Sequence, residues 1–136
     1  MSATEQLNHY LQLYGRKMNT VLCLKEGVCA LADSQQQEVA VVELPSDSDS
    51  VLFHCRLASL AGSVPETQLK TLLALNFEMN AMRGCWLALD EAEDLRLCSQ
   101  QPTASLDARL FVQSLDGFIL QAQQVKEFIS ELRHAA

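Results

Sequence analysis

The sequence predicts an α+β domain: an antiparallel sheet of five or six strands with three helices, in the order α-β-β-β-β-α-β-β-α. Three observations carry this. Apolar residues recur at three- and four-residue steps near both ends and in the middle, the period of a helix with one buried face. Between them lie short runs rich in Val, Leu and Cys, bounded by Gly, Pro, Ser and Asp, which read as strands joined by turns. The 136 residues, 49% hydrophobic and 20% charged, suit one compact domain over residues 1–136 with enough apolar side chain for a core.

The first helix is expected over residues 3–18, where Leu7, Tyr10, Leu11, Tyr14 and Met18 share a face and Ser2 with Glu5 has capping-box spacing. Gly15 reads as fraying near its end. Strands over 20–24 and 27–33 flank a turn at Lys25-Glu26-Gly27, and strands over 38–45 and 50–57 flank the loop Pro45 to Asp49. A second helix is expected over 64–80, capped by Ser63 with Glu66, with Leu69, Leu72, Leu73, Asn76 and Phe77 on one face. Strands over 84–90 and 95–100 follow, joined by the acidic turn Glu91 to Asp94, and Pro102 ends the sheet region. The last helix is expected over 104–133, with Phe111, Leu115, Phe118, Ala122, Val125, Ile129 and Leu132 forming one continuous stripe.

Ten Lys+Arg against seventeen Asp+Glu give a net charge of −7. No Lys/Arg cluster offers the basic face that a nucleic-acid binder needs, so no nucleic acid is expected. The charge favours solubility and basic partners. The N-terminus lacks the charged and apolar regions of a signal peptide, and no run approaches the length of a membrane span, so membrane insertion is not expected. Five cysteines form no C-x-x-C pair, and an odd count fits a disulfide framework poorly. The expectation is a reduced, bacterial cytoplasmic protein.

No catalytic, metal or cofactor site is expected. His9, His54 and His134 fall on a helix, a strand and a frayed tail without ligand spacing. His54 and Cys55 are adjacent on a strand and therefore point to opposite faces. Asp90, Glu91, Glu93 and Asp94 read better as a solvated turn than as acid/base carboxylates. No phosphate-cradling or nucleophile-elbow motif occurs.

The strands carry too much apolar residue for a sheet with one wet face, which should alternate. Val21 to Leu24, Val39 to Val42 and Cys85 to Leu89 are apolar at consecutive positions. Something outside the chain is expected to cover part of the second face or part of a helix, unless the helices and loops alone cover everything. The first helix is the expected exposed contributor. Trp86, the one tryptophan, is either an interface anchor or a core residue.

The order and several segments resemble the class I type III secretion chaperones, the CesT or Tir-chaperone family. LQLYGRKMN (11–19) is similar to the end of that family's first helix and VLCLKEGVCALAD (21–33) to its first hairpin. LLALNFEMNAMRGCWLALDEAEDLRLCSQ (72–100) is similar to its central helix and second hairpin. SLDARLFVQSLDGFILQAQQVKEFISEL (105–132) is similar to its closing helix. LALN (73–76) followed by WLALD (86–90) is the most distinctive stretch. Of the family's Leu-Gly repeat in the first helix, Gly15 alone stands here.

The resemblance implies a non-enzymatic homodimer that holds the N-terminal segment of one or more secreted effectors soluble and export-competent. It implies dimer contacts at Leu69, Leu72, Leu73, Asn76, Phe77, Trp86 and Leu87. It implies effector contacts at Leu7, Leu11, Tyr14, Leu22, Leu24, Val41 and Phe53, with a sheet edge able to accept an added strand. The alternative is a regulatory protein of the same fold that sequesters an activator or anti-activator, and a third reading is a small enzyme with an unrecognised site.

Overall fold

The structure, a computed structural model, describes residues 1–134. Helix α1 (Ala3–Lys17) is followed by strands β1 (Val28–Ala32), β2 (Glu38–Glu43) and β3 (Ser50–Ser59). Then come α2 (Glu66–Leu75), the short α3 (Met79–Met82), β4 (Trp86–Leu89), β5 (Asp94–Pro102), one 3-10 turn (Thr103–Ser105) and α4 (Ala108–His134). All strand pairs are antiparallel and the sheet order is β1-β2-β3-β5-β4. The expected α+β class holds, and the sheet has five strands among the described residues, within the expected five or six.

Ser2 caps α1 as its spacing predicts: the Glu5 amide donates to the Ser2 hydroxyl at 3.2 Å, and that hydroxyl donates to the Glu5 carboxylate at 3.1 Å. The expected strand over 20–24 does not form, because its backbone is claimed by α1. Asn19 turns the chain with φ 54°, the Thr20 amide donates to the Gly15 carbonyl at 2.9 Å, and the Leu24 amide donates to the Asn8 side chain at 2.8 Å. Gly15 is therefore a close-approach residue and not a frayed end: a Cβ there would lie 2.6 Å from the Thr20 carbonyl oxygen. Lys25 and Val28 then exchange both backbone hydrogen bonds around Glu26 (φ 52°) and Gly27 (φ 80°), as a tight two-residue turn requires.

The expected helix over 64–80 is two helices, so the described residues form four α-helices rather than three. Pro65 occupies the α2 N-cap position with no side-chain cap, so the Ser63–Glu66 box is not made. After Leu75, the amides of Phe77 and Glu78 reach back only three residues, and the Asn76 side chain turns to β4 instead of continuing the helical face. Arg83 (φ 52°) and Gly84 (φ 81°) end α3 in the left-handed region. At the other end of the chain, the start of the last helix shifts to Ala108, after the 3-10 turn, and His134 lies within α4 and not in a frayed tail.

Helices α1 and α4 lie on one face of the sheet. Phe53 on β3 meets Phe111 edge-on at 5.8 Å and Phe118 at 5.8 Å, while Tyr10 of α1 meets Phe111 at 5.6 Å. The α4 stripe predicted from the sequence is the buried one, with Leu132 only partly buried. Among the described residues no helix covers the opposite face, yet it is not simply greasy. Ala30, Val41, His54, Cys98 and Trp86 align in one row across the sheet. Val41 and Cys98 are buried but stand outside the main core cluster.

A polar network dresses this face. His54 Nε2 lies 3.2 Å from Glu43 Oε1, Arg96 Nε donates to His54 Nδ1 at 3.2 Å, and Arg96 Nη2 donates to Glu38 Oε1 at 3.1 Å. Arg56 Nε pairs with Asp94 Oδ2 at 3.1 Å. A proton on Nε2 of His54 satisfies both of its contacts. Long polar side chains thus shield the apolar row beneath their stems. The expectation that this second face needs an outside cover is corrected to that extent.

Candidate functional site

The apolar surface left uncovered is concentrated at one edge, where α2, α3 and β4 meet. Of the residues expected at a dimer contact, Leu73 and Phe77 are 71% and 82% exposed, and Leu69 is exposed too. Leu72 and Leu87 are buried and form a floor. With Leu60, Leu89 and Leu95 they line an almost wholly apolar groove of about 250 Å³. Asn76 stands at its wall: its Oδ1 accepts from the Leu87 amide at 2.7 Å and its Nδ2 donates to the Leu87 carbonyl at 3.3 Å. The side chain thereby occupies the outer edge of β4 as a neighbouring strand would.

Trp86 sits on the same strand but projects from the other face, in the row with His54 and Cys98, so it borders the groove's edge without lining it. The sequence reading missed Met79 and Leu89, which are 76% and 55% exposed. The helix break at Asn76 to Glu78 turns Met79 outward, and a continuous helical period cannot reveal that. Leu89 was legible as the last residue of the continuous apolar run Cys85 to Leu89, which a strand cannot bury on one face.

The residues expected to grip an effector lie elsewhere, and the structure does not bring them to the surface. Leu7 and Leu11 are 0% exposed and Phe53 is 1% exposed, because the apolar side of α1 packs on the protein's own sheet and α4. Tyr14, Leu22 and Val41 are also buried, and Leu24 is half-buried. Tyr14 is tied to α4 by a 2.6 Å hydrogen bond to Asp116 Oδ1; burial first, then this bond, raises its phenol well above the ordinary tyrosine value. What remains accessible near this end is the outer edge of β1.

The Leu44 amide donates to Gly27 at 2.8 Å. By the alternation of an antiparallel ladder, Cys29 and Leu31 therefore bond β2, while Val28 and Ala30 face away from it. Lys25 takes the Val28 pair, which leaves the Ala30 amide and carbonyl at an open edge beside a groove of about 390 Å³ lined by Val21, Cys23 and Val28. Val21 and Cys23 are exposed there.

No chemistry converges at either surface. Among the described residues no group of three or more His, Cys, Asp or Glu is placed to hold a metal ion, and no helix is long and apolar enough to cross a membrane. All five cysteines are free, and burial raises the thiols of Cys29, Cys55 and Cys98, with Cys85 pushed up to about 11. Asp90 builds its turn, accepting from the amides of Ala92 at 2.9 Å and Asp94 at 3.0 Å.

Fold and surfaces together define a small α+β binding protein with an apolar patch where α2, α3 and β4 meet and an open strand edge at β1. The family follows from the sequence: residues 9–126 match the Tir chaperone protein (CesT) family, and the chain belongs to it. No curated sequence is similar enough to count as a match. Among solved structures, the ExsC–ExsE complex contains a chain of the same fold at TM-score 0.75 and 18% identity, covering 94% of this chain and 93% of that one. The HopA1–SchA chaperone–effector complex gives TM-score 0.66 and 17% identity, with 96% and 97% covered. The heterodimeric ExoU–SpcU complex from the type III secretion system of Pseudomonas aeruginosa gives 0.67 and 19%, with 93% and 96% covered.

Proposed function

We propose that this protein is a cytoplasmic type III secretion chaperone that dimerises through the α2–α3–β4 edge. It holds the extended N-terminal segment of a secreted effector and carries out no reaction of its own. The observation that carries the reading is the exposed apolar cluster of Leu69, Leu73, Phe77, Met79 and Leu89 around a leucine-floored groove, in a family of chaperones. Patches of this kind on a soluble chain mark interaction sites. A two-fold pairing suits a surface that must complement itself. Leu72 and Leu87 support it from beneath, and Trp86 extends it round the β4 edge.

An effector segment then has the Ala30 edge of β1 for strand addition, with Val21, Cys23 and Val28 to receive alternate apolar side chains. The complexes named above, one of them a chaperone–effector complex, support the effector as partner. Light scattering on the eluting peak of a sizing column tests the dimer. The wild type is expected at twice the 15.1 kDa chain mass, and Leu73→Asp with Phe77→Asp at the monomer mass with unchanged circular dichroism. A monomeric wild type at micromolar concentration refutes the dimer. Co-purification from the native host tests the partner: a secreted client supports the chaperone, and a cytosolic regulator in its place supports the sequestering alternative.

A further inference from the structure

A second open strand edge lies on the opposite side of the molecule. Strand β4 begins at Trp86 opposite Cys98, so β5 beyond Cys98 has β3 on one side and, among the described residues, no strand on the other. The direction of its hydrogen bonds is fixed twice over. Leu87 points away from β5, since Asn76 takes its amide and carbonyl, so Trp86 and Ala88 bond Cys98 and Arg96. From the other side of the sheet, the Gly27–Leu44 bond carried across β2 and β3 makes Ser99 and Gln101 the residues that bond β3. Both routes leave the amide and carbonyl of Gln100 directed outward. No described residue pairs with them. Pro102, next on that side, has no amide to offer and closes the edge.

This edge is the side wall of a groove of about 410 Å³ between β5 and α4. Its lining is suited to a peptide backbone: the side-chain amides of Gln113 and Gln124 supply donors and acceptors without net charge, and beside them the Ser114 hydroxyl donates to Gln101 Oε1 at 3.5 Å. Gly117 leaves open space over it, since a Cβ built there meets nothing within 4 Å, and Leu120 gives an exposed apolar rim. Arg83, an exposed residue, also lines the groove. Among the described residues its guanidinium has no ion-pair partner, in a chain of net charge −7.

We propose that this groove receives an extended stretch of client polypeptide, which adds to β5 at Gln100 as a short strand, sets a small side chain over Gly117 and directs a carboxylate to Arg83. The inference rests on the chaperone reading for the identity of the occupant. Unpaired strand backbone recruits a strand, and an unpaired guanidinium selects an acidic residue among the extended segments that could lie there.

The test is an amide chemical-shift titration of the full-length 15N-labelled protein with the capped peptide Ac-Glu-Ser-Val-Ser-Val-NH2. Saturable shifts are expected at Gln100, Gln101, Gly117 and Leu120. Methylating the central backbone nitrogen, or replacing the glutamate by lysine, is expected to weaken binding about five- to tenfold, the scale of one or two lost hydrogen bonds. Arg83→Glu is expected to reverse the preference between the two peptides. Gly117→Leu fills the groove from an ordinary helical position and is expected to abolish the shifts while melting no lower than the wild type. Unmoved amides at Gln100 and Gly117, binding indifferent to N-methylation, or full binding by Gly117→Leu would each overturn the proposal. Co-purification reads the chaperone function separately: a wild type that captures a secreted client while its groove ignores the peptide refutes the groove alone.

Discussion

Gly15 shows how one side chain, or its absence, fixes a whole segment. The carbonyl of Thr20 sits where a Cβ would be, 2.6 Å away, so Gly15→Ala must push the returning chain off α1 and lift Leu22 from the core. An overpacking cost of about 1–3 kcal/mol is expected, read by urea denaturation. Tyr14 offers a second test one residue earlier. Its raised folded-state pKa means that the stability it contributes is full below about pH 10 and is lost as pH rises through the elevated folded value. Spectrophotometric titration is expected to show Tyr14 ionising only with alkaline unfolding. Tyr14→Phe is expected to remove that late phase and to cost about 1–2 kcal/mol, the scale of a hydrogen bond to a charged group discounted for the half-exposed Asp116. Thiol labelling gives a third: Cys23 is the exposed cysteine and is expected to react with Ellman's reagent ahead of the buried Cys29, Cys55 and Cys98.

At the scale of elements, the sequence was legible wherever periodicity and packing agree. The α4 stripe and the sheet strands from Glu38 onward fall where their patterns predict, because the residues that repeat are the ones buried. Where a side chain captures backbone, the pattern misleads. Residues 20–24 carry the continuous apolar run of a buried strand, but Asn8 and Gly15 take their hydrogen bonds. The α2 face continues in sequence to Phe77, but Asn76 leaves it to bond Leu87. The candidate sites divide the same way. The α2 face stays exposed because only Leu72 of α2 is buried against the core, whereas α1 was misread as a docking surface because its Leu and Tyr stripe suits a partner and its own sheet equally well. Asn76→Ala is expected to leave two backbone groups of β4 unpaired and to destabilise by about 1–3 kcal/mol, with faster hydrogen exchange at the Leu87 amide as the specific readout.

Across the whole molecule, the order β1-β2-β3-β5-β4 joins an N-terminal unit to a C-terminal one along a single seam, β3 against β5. The seam pairs Phe53 with Ser99 and His54 with Cys98, partners far apart along the chain, while the hairpins on either side join near neighbours. Closing a long loop before its contacts repay the lost chain entropy is the slow event in domains of this kind. The speed at which a newly made chain becomes competent is thus set by how fast its two halves zip together. Truncating Val51 or Leu97 at the seam is expected to slow refolding in stopped-flow measurements, whereas truncating Leu7 of α1, which lies outside the seam, is expected mainly to hasten unfolding.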